Sequence, residues 1–148
     1  MRLTKIDCET VADIAAIESE FNIKLPDDYK AFLSESNGVN VSDGYIYVEA
    51  LEQHIMMGVL YGVGTPNNSA DIMRNNREYR DDVWINSILI GGDVCGGWIL
   101  LVCDGENDGI WYYDHSYFFE NSTDESNTYL IADSFSKFMN MMKEPRVG

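Results

Sequence analysis

The N-terminal part of the chain repeats its apolar positions with the period of a helix. Apolar side chains recur three or four residues apart, at Val11, Ile14, Ile17 and Phe21. Thr10 precedes this stripe, and Asp13 lies three residues after Thr10, a spacing typical of a capping box. The pattern predicts a first helix that begins at Thr10 and stops at the polar break that starts with Asn22.

A second helix is predicted directly after this break. Pro26 suits the first position of a helix, where no N–H group is needed, and two aspartates follow it where the helix dipole favours negative charge. The side chains predicted to form the buried face are Tyr29, Phe32 and Leu33. Asn37-Gly38 ends the helix, because glycine adopts the left-handed conformation that a C-terminal cap needs.

The period then changes to that of strands. Residues 45–48, Tyr-Ile-Tyr-Val, are aromatic and β-branched and predict a strand. Residues 51–64 fit neither pattern, and the glycines and proline at 62, 64 and 66 predict a loop at their end. A third helix follows, capped by Asn68 or Ser69. Its apolar side contains Ile72, Met73 and Tyr79, and its exposed side contains Arg74, Arg77 and Arg80.

Most of the remaining chain is predicted to form strands. Apolar runs at 87–90 and 98–103 flank a glycine-rich turn at 91–97, and the turn formers at 104–109 lead into a strand at 110–113. A strand at 128–132 precedes a last helix, capped by Ser134 and bearing Phe135, Phe138, Met139 and Met142. The elements predict an α+β fold: a single domain over residues 1–148, with a largely antiparallel sheet flanked by N-terminal, central and C-terminal helices.

Charge changes the picture more than composition does. The chain has 25 acidic and 10 basic residues, a net charge of −15, which disfavours nucleic acid and anionic membranes as direct partners. Residues 81–136 contain eleven acids and no Lys or Arg. A field of one sign speeds and orients the approach of a basic protein partner, although acidity also serves solubility alone. Both interpretations stay open on composition.

The chain has no features that direct it to a membrane or out of the cell. No apolar run approaches the roughly 20 residues that span a bilayer, and the first residues lack an apolar stretch with a cleavage site. The three cysteines, Cys8, Cys95 and Cys103, form no C-x-x-C pair and leave one over from any disulfide. We therefore expect a cytoplasmic protein with reduced thiols.

Catalytic and metal-binding patterns are weak. A Cys95 or Cys103 nucleophile with His115 is the best catalytic candidate, but Cys103 lies within an apolar strand, where thiols are usually structural. The same three residues lack the fourth ligand and close spacing of a zinc site. The run 104–109 departs from the calcium-loop pattern and fits a hairpin turn better. The sequence thus predicts no enzyme, no metal and no cofactor.

Aromatic residues interleaved with acids provide the candidate binding site. Alternate residues of a strand face opposite sides, so about half of this group is expected to be buried. The exposed half has the composition of an interface hot spot, aromatic anchors within an acidic surround. The predicted partner-binding residues are Asp93, Asp104, Glu106, Asp108, Trp111, Tyr113, Asp114, Glu120, Asp124 and Glu125.

Three motifs resemble those of the SUKH superfamily, which includes the Smi/Knr-like proteins. The first is IKLPDDYKAFL at 23–33, running into Asn37-Gly38. The second is ILIGGD at 88–93 followed by Gly96-Gly97, and the third is ADSF at 132–135 with Phe138. Together they extend over nearly the whole chain in the family's order.

The resemblance implies an α+β fold and, for bacterial members, an immunity protein that neutralises a polymorphic toxin, very often a nuclease. It transfers no contact residue, because toxin-binding residues vary among members. The sequence and the resemblance together predict an antitoxin whose acidic surface masks the basic active site of a nuclease toxin domain. A regulatory interaction module with a non-toxin partner is the alternative, since eukaryotic relatives have regulatory or scaffold roles.

Overall fold

A computed structural model describes residues 1–6, 12–66, 68–114 and 127–143 of the chain. The helices in this part are α1 (Ile14–Phe21), α2 (Asp27–Ser36), α3 (Ile72–Glu78) and α4 (Phe135–Lys143). The strands are β1 (Arg2–Lys5), β2 (Val39–Ser42), β3 (Tyr45–Val48), β4 (Gln53–Leu60), β5 (Ser87–Asp93), β6 (Trp98–Val102), β7 (Gly109–Tyr113) and β8 (Thr128–Ala132). Short 3₁₀ turns cover Asn68–Ala70 and Arg80–Asp82. The predicted α+β class is confirmed.

The described strands form an antiparallel sheet. Its order is β1-β2-β4-β5-β6-β7-β8, and β3 pairs with the first half of β4. The predicted hairpin is confirmed, since β6 pairs with β7 in the register Trp98↔Tyr113 to Val102↔Gly109. The central strands β5 and β6 are almost entirely buried, which explains their continuous apolar runs. This hairpin places the turn at 103–108 at one end of the sheet.

The glycine-rich segment after Ile90 differs from the prediction. Gly91, Gly92 and Asp93 continue strand β5 instead of forming a turn, and they pair with β4 opposite Leu60, Val59 and Met57. A Cβ atom on Gly91 would collide with the carbonyl oxygen of Val59, so glycine allows the two strands to approach. The turn itself is confined to 94–97, where Gly96 has a φ of 91°.

Two predicted helix starts are wrong by a few residues. Asp13 caps α1 by accepting a hydrogen bond from the Ala16 N–H at 3.0 Å, and Ala12 is not helical; Thr10, the predicted start, lies outside the described residues. Asp71, not Asn68 or Ser69, caps α3 by accepting from the Arg74 N–H at 3.0 Å. In both cases the cap lies next to the first helical residue, as the geometry of an N-cap requires.

The other helix boundaries agree closely with the sequence. Helix α2 begins at Asp27, one residue later than predicted, because Pro26 is its N-cap, and it ends at Asn37 before Gly38, which has a φ of 95°. Ser134 accepts a hydrogen bond from the Lys137 N–H at 3.1 Å and so caps α4. The strands β1, β2 and β4 were not predicted, because β1 is exposed along its length and β4 lies in the ambiguous region.

Polar side chains fix the central helix on the sheet. The buried Asn76 side chain donates to Ile72 O and Leu89 O, both at 2.9 Å, and accepts from the Leu89 N–H at 2.8 Å. Arg77 forms a two-bonded ion pair with Glu20, at 2.6 Å for each contact, which joins α3 to α1. Within the described residues, no helix has the length and apolar character needed to cross a bilayer.

Candidate functional site

The turn between β6 and β7 carries three exposed carboxylates of the predicted site. Asp104 accepts hydrogen bonds from the backbone N–H groups of Glu106 at 2.9 Å and Asn107 at 2.6 Å. These bonds lower the pKa of Asp104, because they stabilise its charged form. Asp108 accepts from the Gly105 N–H at 2.8 Å. The carboxylate of Glu106 is exposed and forms no hydrogen bond or ion pair with any described residue.

The acidic turn, residues 104–108, borders a cleft with further carboxylates. This acidic cleft encloses about 460 Å³ between the start of α2, the turn and the start of α4. Its acidic lining residues are Asp27, Asp28, Asp108 and Asp133, and Lys24 is its one basic lining residue. Asp28 is committed to the fold, since it accepts from the N–H and hydroxyl of Ser136 at 2.9 and 3.1 Å. Asp27 and Asp133 are exposed.

Aromatic side chains occupy one face of the neighbouring strands. Trp98 and Tyr113 are cross-strand partners, and their rings meet edge to face at 5.6 Å. Trp111 pairs with Leu100 on one side and Leu130 on the other, which places these side chains on the same face. Trp111 and Tyr113 are half-buried, as the alternation of the strand predicts.

Two predicted site residues are buried and take no part in the exposed surface. Asp93 accepts hydrogen bonds from the Gly97 N–H at 2.7 Å, the Cys95 N–H at 3.1 Å and the Tyr112 hydroxyl at 2.9 Å. Its role is to close the turn between β5 and β6. Burial raises the pKa of Asp93, and the three hydrogen bonds oppose this shift. Asp114, at the end of β7, is fully buried.

The remaining predicted residues lie outside the described part of the chain. Glu120, Asp124 and Glu125 belong to residues 115–126, as do His115 and the aromatic residues Tyr117, Phe118 and Phe119. The structure therefore brings Asp104, Glu106 and Asp108 together with Trp111, while Tyr113 lies at the opposite end of β7 beside Trp98.

The thiols in the described residues are poor nucleophiles. Burial, together with the nearby carboxylates of Asp108, Asp104 and Asp28, raises the pKa of Cys103 to about 11. Cys95 is exposed, and desolvation and Asp93 raise its pKa also. Both side chains therefore stay protonated near neutral pH. Among the described residues, no group of three or more His, Cys, Asp or Glu side chains is placed to hold a metal ion.

Sequence reasoning missed three residues of this surface. Asp27 and Asp133 join the acidic turn only through the packing of α2 and α4 beside it, and the sequence pattern assigned Asp27 to the helix dipole alone. Trp84 contacts Trp111 edge to face at 5.1 Å, although it belongs to the loop before β5. No local spacing reveals such contacts, because they join segments that are distant in sequence.

Comparison with known proteins identifies a family that this chain matches. A model of the SMI1/KNR4 family (SUKH-1) matches residues 9–141, which is most of the chain. The three motifs at 23–38, 88–97 and 132–138 all lie inside the matched range. No curated protein and no solved structure matches the chain.

Proposed function

The chain belongs to the SMI1/KNR4 family (SUKH-1), and from this premise we propose that it is an immunity protein that binds and neutralises a cognate toxin. One observation carries the proposal beyond the family. The stretch 81–136 has eleven acids and no base, and its acidic turn meets Asp27 and Asp133 around one cleft. A surface of this charge favours a basic protein as partner.

Masking is the proposed mechanism. A nuclease binds the phosphate backbone of its substrate with basic side chains, so its active site attracts negative charge. The carboxylates of Asp27, Glu106 and Asp133 are exposed and would occupy the place of phosphates. The docked protein would then exclude the nucleic acid by charge and by volume. The toxin is accordingly proposed to be a nuclease with a basic cleft.

The proposed role is binding without catalysis. Both thiols in the described residues have raised pKa values, so neither has the thiolate character of a catalytic cysteine. Asp104 and Asp108 accept hydrogen bonds from backbone N–H groups of the acidic turn. These bonds hold the turn in one conformation, as a binding surface requires. We propose that residues 1–148 act as one domain in the cytoplasm, where a toxin would meet its nucleic acid substrate.

The test is protection by co-expression. The chain is produced in bacteria together with the toxin encoded beside its gene, and survival and nuclease activity are measured. We expect full protection from this toxin, none from unrelated toxins, and inhibition at a one-to-one ratio of purified proteins. If no neighbouring toxin binds and a non-toxin partner is found instead, the protein is a regulatory interaction module and the masking mechanism is wrong.

Charge reversal locates the binding surface. Reversal of Asp104 or Asp108 would also remove hydrogen bonds that fix the turn, so the variant D27K/E106K/D133K is the sharper choice. We expect it to slow association with the toxin by about tenfold or more, because steering depends on local charge. The matched control, E35K/E52K/E78K, changes the net charge equally at exposed positions elsewhere. Equal effects of both variants would contradict the placement of the surface.

A further inference from the structure

The loop before β5 and the edge strand β8 leave apolar side chains exposed beside the acidic turn. Trp84 is 41% exposed and Leu130 is 45% exposed, and both lie next to the half-buried Trp111. Large apolar side chains that remain in contact with water and with one another are typical of binding sites. We name Trp84, Trp111 and Leu130 the aromatic platform.

The aromatic platform is tied to the acidic turn by a hydrogen bond. The indole N–H of Trp111 donates to the carbonyl oxygen of Asn107 at 2.9 Å, which fixes the ring beside the turn. Glu106 directly precedes Asn107, and its carboxylate is exposed and bonds no described residue. The Trp111 indole and the exposed carboxylate of Glu106 are therefore held by the same turn.

One base next to the platform, Arg80, is already engaged. Arg80 donates from Nη2 to the carbonyl oxygens of Trp84 and Ser87, both at 2.8 Å, and its guanidinium lies 5.7 Å from the centre of the Phe21 ring. It supports the backbone of the loop that holds Trp84. Among the described residues, neither Arg80 nor any other base forms an ion pair with Glu106, so its carboxylate can meet a cation from a partner.

From this juxtaposition we propose that the aromatic platform and Glu106 form a docking site for an arginine side chain of a basic protein. The planar guanidinium stacks on an indole and bonds a carboxylate with two parallel N–H groups, which the ammonium group of lysine cannot do. The net charge of −15 supplies the long-range attraction for such a partner. The proposal rests on the proposed function only for the identity of the partner as a toxin.

The test uses the three indole N–H signals of the ¹⁵N-labelled chain, which come from Trp84, Trp98 and Trp111. The probe is a short amidated peptide with two arginines next to a leucine, compared with versions that contain lysine or glutamate instead. We expect the arginine peptide to shift the signals of Trp84 and Trp111 and to leave Trp98 unchanged. Lysine should bind about threefold more weakly or worse, and glutamate should give no shift.

Two variants distinguish the contribution of the carboxylate to peptide binding from that of the rings. Glu106→Gln should weaken the arginine peptide by about three- to tenfold, while the matched control Glu35→Gln, at an exposed site on α2, should change nothing. Trp84→Ala should abolish the shift of the Trp111 signal that the arginine peptide causes. An unchanged Trp98 signal in this variant reports that the sheet is intact. Equal shifts of all three indoles, an equal response to the glutamate peptide, or full binding by Glu106→Gln would overturn the proposal.

The same variants distinguish this proposal from the proposed function. If the chain protects against its toxin and Trp84→Ala and Glu106→Gln protect equally well at limiting expression, the arginine site is wrong and the immunity function stands. If no toxin is bound but the arginine peptide still shifts Trp84 and Trp111, the site stands and its partner is not a toxin.

Discussion

At the scale of single residues, Asp93 shows how one carboxyl group acts on stability. Its oxygens accept from Gly97, Cys95 and Tyr112 at the end of β5, while burial raises its pKa above the ordinary value. The folded state therefore holds the proton of Asp93 to a higher pH than the unfolded chain does. Its stabilising contribution is complete below the unfolded pKa of about 3.9 and falls as pH rises through the folded pKa.

The substitution Asp93→Asn isolates this effect. Asparagine keeps an acceptor for the turn amides but cannot ionise, so the free energy of unfolding of wild type minus that of the variant should decrease as pH rises from about 3 to 7. Urea unfolding at several pH values measures the difference. A constant difference would mean that Asp93 has the same pKa folded and unfolded.

The sequence cannot separate acids of this kind from surface acids. Asp93, Asp104 and Asp114 all adjoin strand ends and turn formers, yet Asp104 is exposed and the other two are buried. Asp93 is buried with Tyr112, whose hydroxyl reaches across from β7 to bond it. Tyr112 lies far from Asp93 along the chain, so no local sequence pattern reveals this contact.

At the scale of elements, β4 and β5 depend on a close approach of their backbones. Gly91 faces the Val59 carbonyl, and any Cβ there must displace β4. We expect Gly91→Ala to lower the free energy of unfolding by about 1–3 kcal/mol through this overlap. Gly96→Ala is the comparison: its Cβ meets no atom within 4 Å, although its φ of 91° is strained. We expect Gly91→Ala to be the more destabilising substitution, and thermal or urea unfolding of both variants measures the difference in their free energies of unfolding.

If Gly96→Ala were the more destabilising of the two, the conformation of the turn, and not the close approach of β4 and β5, would be the reason for these glycines.

The sequence predicted the strands of the β6–β7 hairpin, helix α2 and the start of α4 correctly, because each has a strong local signal in its apolar period and end residues. It placed the turn after Ile90 too early, since Gly91-Gly92 is as typical of a turn as of a close strand pair. Strand β1 escaped notice because it is exposed along its whole length.

At the scale of the whole molecule, composition located the acidic stretch but not the surface that it forms. Asp27 and Asp133 come to the acidic cleft from segments far apart in the chain, and Trp84 comes to Trp111 in the same way. The packing of α2 and α4 beside the acidic turn makes Asp27 and Asp133 neighbours, and the path of the loop before β5 places Trp84 on Trp111. A charge total therefore indicates the sign of a partner, while the fold decides where the partner meets it.

The net charge of −15 leads to a prediction about rates. If acidity steers a basic partner, the association rate with the toxin should fall by about tenfold or more between 0.02 and 0.5 M salt, because the screening length shrinks from about 20 Å to about 4 Å. The dissociation rate should change much less, since the apolar contacts of the aromatic platform are not screened. Stopped-flow mixing measures both. An association rate that is independent of salt would leave solubility as the purpose of the charge.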